Sequence, residues 1–187
     1  LAGWDGDHRR GARSGIADPG FLAPWLEEPG ARELIGMLGA EAGVDLLTHG
    51  TQSDADTIRD TSVAQPLIVA AGIVTLHALG TDGRDAKIGG IAGHSVGEIT
   101  AAAGAGILTY VEAIRLVAER GRAMAEAAAA ADTGMSAVVG GDEDAVLAAL
   151  EPHRLSPANY NGGGQLVVAG PREGLAALAA APPPEAG

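Results

Sequence analysis

Apolar residues between 20 and 43 recur at near-helical spacing, first as Phe21, Leu22, Trp25 and Leu26, then as Leu34, Ile35, Leu38 and Ala42. Pro29-Gly30 breaks the run, which predicts two short helices. From Thr61 to Leu79 the chain is apolar nearly all round. Such a stretch predicts a long helix packed on several sides, with Pro66 near its first turns, where a missing N–H costs least, and Gly80 as its stop. In Ala86 to Ser95, Ile88 and Ile91 sit among glycines, and an alanine-rich helical pattern runs from Val96 to Ile107, so strand, tight turn and helix are predicted in that order. Thr109 and Glu112 have the spacing of a capping box, opening a helix to about Ala131 that Asp132-Thr133-Gly134 ends.

The pattern changes character at Met135. Ser136 to Gly140 reads as a strand, Asp142 to Leu150 as a helix, Ala158 to Asn161 and Gln165 to Ala169 as strands joined by a Gly162-Gly163-Gly164 turn, and Pro171 to Ala180 as a helix. The order β-α-β-β-α lacks one strand of a ferredoxin-like unit, and the closing Pro182-Pro183-Pro184-Glu185-Ala186-Gly187 is not expected to supply it.

Composition narrows the class. A chain of 187 residues, 47% hydrophobic, can bury a core without a disulfide or metal staple, and it contains no cysteine, which removes thiolate chemistry and fits a reducing cytoplasm. Its net charge is -12, with the few basic residues scattered, which argues against a nucleic-acid surface. Leu1 to Arg13 lacks the apolar core of a signal peptide, and the Pro66 to Leu79 stretch is short for a membrane span and holds His77. A soluble, cytoplasmic protein without membrane contact or a bound cofactor or metal is expected.

The chemistry concentrates at Gly93-His94-Ser95-Val96-Gly97, a G-x-S-x-G pattern between the predicted strand and helix. Glycines two before and two after the serine allow the close backbone approach of a nucleophile elbow, and the Val96 N–H lies where an oxyanion would develop, beside a helix amino terminus. The competing reading is a plain glycine-rich turn. His94 neighbours the serine on a sharp turn and is a poor candidate for its base, so a structural role is expected. His77 is expected to pack in its helix, and His8, His49 and His153 to be solvated.

The wider run to Glu98 resembles the acyltransferase family that loads malonyl groups from coenzyme A onto acyl carrier protein. Three further segments carry the resemblance in the same order: Thr61-Ser62-Val63-Ala64-Gln65-Pro66 before the elbow, Arg120-Gly121-Arg122-Ala123-Met124 after it, and Ser156-Pro157-Ala158-Asn159-Tyr160-Asn161 followed by Gln165 to Gly170. The resemblance implies a hydrolase-like α/β core with an inserted ferredoxin-like α+β subdomain, here truncated. It also implies ping-pong acyl transfer through Ser95, for fatty acid biosynthesis, with malonyl-CoA and acyl carrier protein as partners. Arg120 matches the arginine that holds the malonyl carboxylate, a task suited to a planar guanidinium. Its plain alternative is a surface pair with Glu119 or Glu126. Met124 lies a turn further along and lines the acyl pocket or packs in the core, and Asn161 reaches the site or serves as a turn residue beside Gly162.

On this reading residues 1–18 are a divergent segment, 19–134 the core with the elbow, and 135–187 a partial subdomain. The family's Gly-Gln-Gly loop and its later general-base histidine have no counterpart here. That leaves two rivals: a serine esterase using water as acceptor, and a non-catalytic remnant that binds carrier protein or coenzyme A.

Overall fold

The computed structural model describes residues 19–81 and 89–187. The predicted segment 1–18, His8 and the beginning of the predicted strand at Ala86 to Ile88 lie outside the described residues. The chain divides into two compact units, one ending at Ala125 and the other running from Glu126 to Gly187.

In the first unit, the runs on either side of Pro29-Gly30 form a 3-10 turn, Ala23–Glu27, and helix α1, Ala31–Ala42. Two short helices follow that the apolar spacing did not announce, α2 (Leu46–Thr51) and α3 (Ala55–Arg59). They are too short for a period to register, and their signature is at the caps: Asp45 accepts from the Thr48 N–H at 3.0 Å and Asp54 from the Thr57 N–H at 2.8 Å. These bonds, the first cause in each case, hold both carboxyls below the usual carboxylate range.

Helix α4, Thr61–Thr81, carries Pro66 in its second turn and continues through Gly80, so the predicted stop comes one residue late. A glycine lowers helix propensity without forbidding the next turn. α4 packs against α1, α2, α3 and α5 (Gly97–Gly104). Leu67, Val69, Ala70, Ile73 and Val74 are buried on it. Among the described residues it is the one helix long and apolar enough to cross a membrane, and its place is the centre of this helical core. A Cβ at Gly72 would fall 2.5 Å from Thr100 Cγ2, so glycine sets how closely α4 and α5 approach. Helix α6, Tyr110–Ala129, opens on the predicted capping box and buries Ala113, Ile114, Val117, Ala118 and Gly121 as one stripe against the same core.

The strand predicted ahead of Ser95 is not formed over 89–94: these residues are exposed and no described strand lies alongside them. A strand exists only through its ladder, and the apolar-glycine pattern alone does not supply the neighbouring strand.

The second unit contains strands β1 (Thr133–Val139), β2 (Ser156–Gly162) and β3 (Gln165–Pro171), in the sheet order β1-β3-β2 with both pairings antiparallel. Helices α7 (Glu143–Leu150) and α8 (Arg172–Ala180) cover one face, burying Val138, Val146, Leu150, Leu166, Val168 and Leu178. β1 begins before the predicted Ser136, because Thr133 and Gly134 pair with Pro171 and Gly170 across the sheet. The closing residues depart from expectation. Gly187 exchanges backbone hydrogen bonds of 2.8 and 3.1 Å with Val139, and Ala186 bridges Gly140 antiparallel, so the tail pairs with β1 after the three prolines have passed.

Candidate active site

Ser95 stands between residues 89–94, which form no strand, and α5, with φ 54, in the left-handed region that costs a side-chain-bearing residue about 1–2 kcal/mol. The turn that holds it is closed by the Gly97 N–H donating to the His94 carbonyl at 3.0 Å. Gly93 makes this possible, since a Cβ there would sit 2.1 Å from the Gly97 carbonyl oxygen. The next N–H groups, of Glu98 and Ile99, donate to the Ser95 and Val96 carbonyls at 3.1 and 3.2 Å. Val96, the residue before α5, offers no side-chain cap to the helix start.

Arg120 comes to this serine from α6. Its Nη2 donates to Ser95 Oγ at 3.2 Å, and its Nη1 makes a short hydrogen bond to Gln65 Oε1. The surface pairing weighed for Arg120 does not form with Glu119, which takes Arg122 instead at 2.6 Å. Arg120 lies where Gln65 can hold it, because Gln65 is on the α4 face turned toward α6 and is buried, at 5% exposed. The Gln65 Nε2 in turn donates to Met124 Sδ at 3.1 Å. Met124 is 41% exposed, so it is not a core residue.

Arg120 and Met124 are thus joined to Gln65, and Ser95 to Arg120, within one unit, with Val96 next to the serine in the chain. Asn161 belongs to the other unit, on β2 rather than in the turn, where it donates to Gln165 Oε1 at 2.7 Å and accepts a short hydrogen bond from Asn159. The His94 side chain is exposed, and its carbonyl serves the elbow turn. His49 is half-buried and pairs through Nδ1 with Ser53 Oγ at 2.9 Å, a correction to the solvated position expected of it. His153 is likewise half-buried, after α7, where the chain turns back toward the sheet. Among the described residues no group of three His, Asp or Glu side chains is arranged to hold a metal.

A serine at a strained elbow, with a guanidinium within hydrogen-bond reach of its hydroxyl, suits acceptance of an acyl group that carries a negative charge. Residues 36–181 match the acyl transferase domain family. The chain belongs to that family. It is 48% identical over 166 residues to the malonyl CoA-acyl carrier protein transacylase of Mycolicibacterium smegmatis, a stretch that is 89% of this chain and 57% of that protein. The crystal structure of MCAT from Mycobacterium tuberculosis superposes with a TM-score of 0.88 at 45% identity, over 94% of this chain and 58% of the other. A holo type II PKS acyl-carrier protein in complex with its malonyl-transacylase gives a TM-score of 0.76 at 29% identity, over 92% and 58%. The chain therefore spans somewhat over half the length of these acyl transferase relatives.

Gln65 is the site residue that sequence reasoning passed over. It lies within the Thr61 to Pro66 segment that carried the resemblance, but no role was attached to it. The available signal was a lone amide in a helix otherwise apolar on nearly every side: leaving such a group buried without a partner costs about 1–3 kcal/mol, so its presence implies a polar neighbour.

Proposed function

We propose that Ser95 accepts a malonyl group from malonyl-CoA and passes it to the phosphopantetheine thiol of acyl carrier protein, for fatty acid biosynthesis in the cytoplasm. The observation that carries this reading is the 3.2 Å contact of Arg120 Nη2 with Ser95 Oγ. An arginine so close to the nucleophile suits an acyl group with a carboxylate one methylene from its carbonyl, and speaks against a simple ester as substrate. In the first half-reaction Ser95 Oγ bonds to the thioester carbon, the C–S bond breaks, and coenzyme A leaves as the thiol with the serine's proton. In the second, the carrier thiol attacks the ester and returns the proton to Ser95 Oγ. The Val96 N–H is assigned to the developing oxyanion; the family's later general-base histidine has no counterpart among residues 1–187. No cofactor takes part in these steps.

The same reading assigns residues 19–134 to a hydrolase-like core and 135–187 to a ferredoxin-like subdomain, with residues 1–18 as a divergent extension. The antiparallel bridge of Ala186 to Gly140 supports it, because that edge of β1 is where the fourth strand of such a subdomain pairs. Met124 is assigned to the acyl pocket. Intact-mass spectrometry after incubation with malonyl-CoA, run beside Ser95→Ala, tests the proposal. A malonyl adduct on the parent chain alone is expected, whereas a folded parent chain without adduct overturns acyl acceptance by this chain.

A further inference from the structure

We infer that Gln65 and Met124 form a positioning relay that orients Arg120, and that this relay, beyond the arginine itself, sets preference for a carboxylated acyl group. The inference rests on the reading of Arg120 given above. A guanidinium has only donors, so of the two ends of the Gln65 amide only Oε1 can face it. That choice turns Nε2 the other way, where it meets the Met124 thioether at 3.1 Å, a weak acceptor. The amide is thus fixed in one orientation from both sides, in a buried position, with no buried side-chain nitrogen or oxygen left unpartnered among the described residues.

The consequence for Arg120 is geometric. With Nη1 engaged by Gln65, the Nε–Nη2 edge is the pair of parallel donors left to meet a carboxylate, and Nη2 already lies at Ser95 Oγ. An arginine side chain otherwise has many rotamers, and ordering it on binding costs affinity; a relay that orders it beforehand removes that cost. Met124 is therefore placed as the outer end of the relay, and its partial exposure is consistent with a contact made at the rim of the site.

The test measures binding rather than turnover, in a Ser95→Ala background so that no acyl group is transferred. Affinities for malonyl-CoA and acetyl-CoA are titrated calorimetrically, and their ratio is compared for the parent, Arg120→Ala, Gln65→Leu, Met124→Leu and the double variant Gln65→Leu/Met124→Leu. Gln65→Leu is expected to lower the malonyl preference about tenfold, the factor for loss of one charge-assisted hydrogen bond, and Met124→Leu to lower it less. The double variant is expected to match Gln65→Leu alone, since both act through one chain of contacts. A purely structural role would weaken both ligands alike and leave the ratio unchanged. An unchanged ratio in folded Gln65→Leu, with the ratio lost in Arg120→Ala, overturns the relay and leaves the arginine reading intact. An unchanged ratio in Arg120→Ala, or a parent without preference, overturns both. Should Gln65→Leu fail to fold, Met124→Leu decides: no loss of preference there overturns the relay.

Discussion

Helix α6 opens on a capping box, with the Glu112 N–H donating to Thr109 Oγ1 at 3.2 Å and the Thr109 N–H to the Glu112 carboxylate at 2.8 Å, whereas α5, the helix before it, opens on uncapped Val96 after a serine at φ 54. The first start satisfies its N–H groups locally and holds the Glu112 carboxyl below its usual range through those same Thr109 bonds. The second has no side-chain cap and holds Ser95 in a conformation that opposes folding. Two helix starts so near in the chain differ in this way, and of the two only the one that follows Ser95 departs from local preference; Arg154 and Glu185, with φ 55 and 61, do so elsewhere.

Substitutions at the two starts can break or sharpen that contrast. The largest effect is expected from Gly93→Ala, because the new Cβ would overlap the Gly97 carbonyl and the Glu98 nitrogen, backbone atoms that cannot step aside. A loss of about 3 kcal/mol in urea unfolding is expected, and a loss under about 0.5 kcal/mol would mean the elbow is not sterically closed. Thr109→Ala should cost about 1 kcal/mol in the same assay; no change would show that the capping box does not hold α6. At Ser95 the sign reverses. Ser95→Gly should be about 0.5 kcal/mol more stable than Ser95→Ala, since glycine relieves the left-handed strain at some entropic cost and both lack the hydroxyl. Equal stabilities would remove strain from the account of the elbow.

The smallest effect concerns acid. Glu112, Asp45 and Asp54 all have folded-state values lowered by hydrogen bonds from N–H and hydroxyl groups, so the stability they contribute is present above their unfolded values, near 4, and is lost as pH falls through the lower folded ones. Melting temperature should therefore fall between about pH 5 and pH 2. In Glu112→Gln, which has no carboxyl to protonate at this position, the fall should be shallower. Parallel curves for the two proteins would show that Glu112 takes no part in the acid response.

Much of the fold was legible because its signals are local. The capping box at Thr109, the Pro29-Gly30 break, the β-α-β-β-α order after Met135 and the glycine hairpin each lie within a few residues, and the elements formed there. α2 and α3 were missed because helices of six and five residues are too short to show a period. The strand before Ser95 was misread for the opposite reason: its local pattern is suitable, but pairing is a property of the neighbour. The pairing of Gly187 with Val139 likewise depends on an edge of β1 that three prolines gave no reason to expect.

At the site, the chain of amino acids by itself determined the elbow, because the steric demand falls within one turn, at Gly93, where a Cβ would overlap the Gly97 carbonyl; the second glycine of the pattern, Gly97, has open space for a Cβ. It also determined α6, whose stripe and cap are both local. What only the tertiary structure decided is that Gln65, Ser95, Arg120 and Met124 belong together: Gln65 is on α4 and Arg120 on α6, far apart in sequence, and they meet because both helices bury apolar stripes in one core. The hydrophobic effect that drives that burial is non-directional, so it brings helices together without naming which polar atoms will meet. The partner of a buried amide is chosen by packing, and no spacing along the chain encodes it.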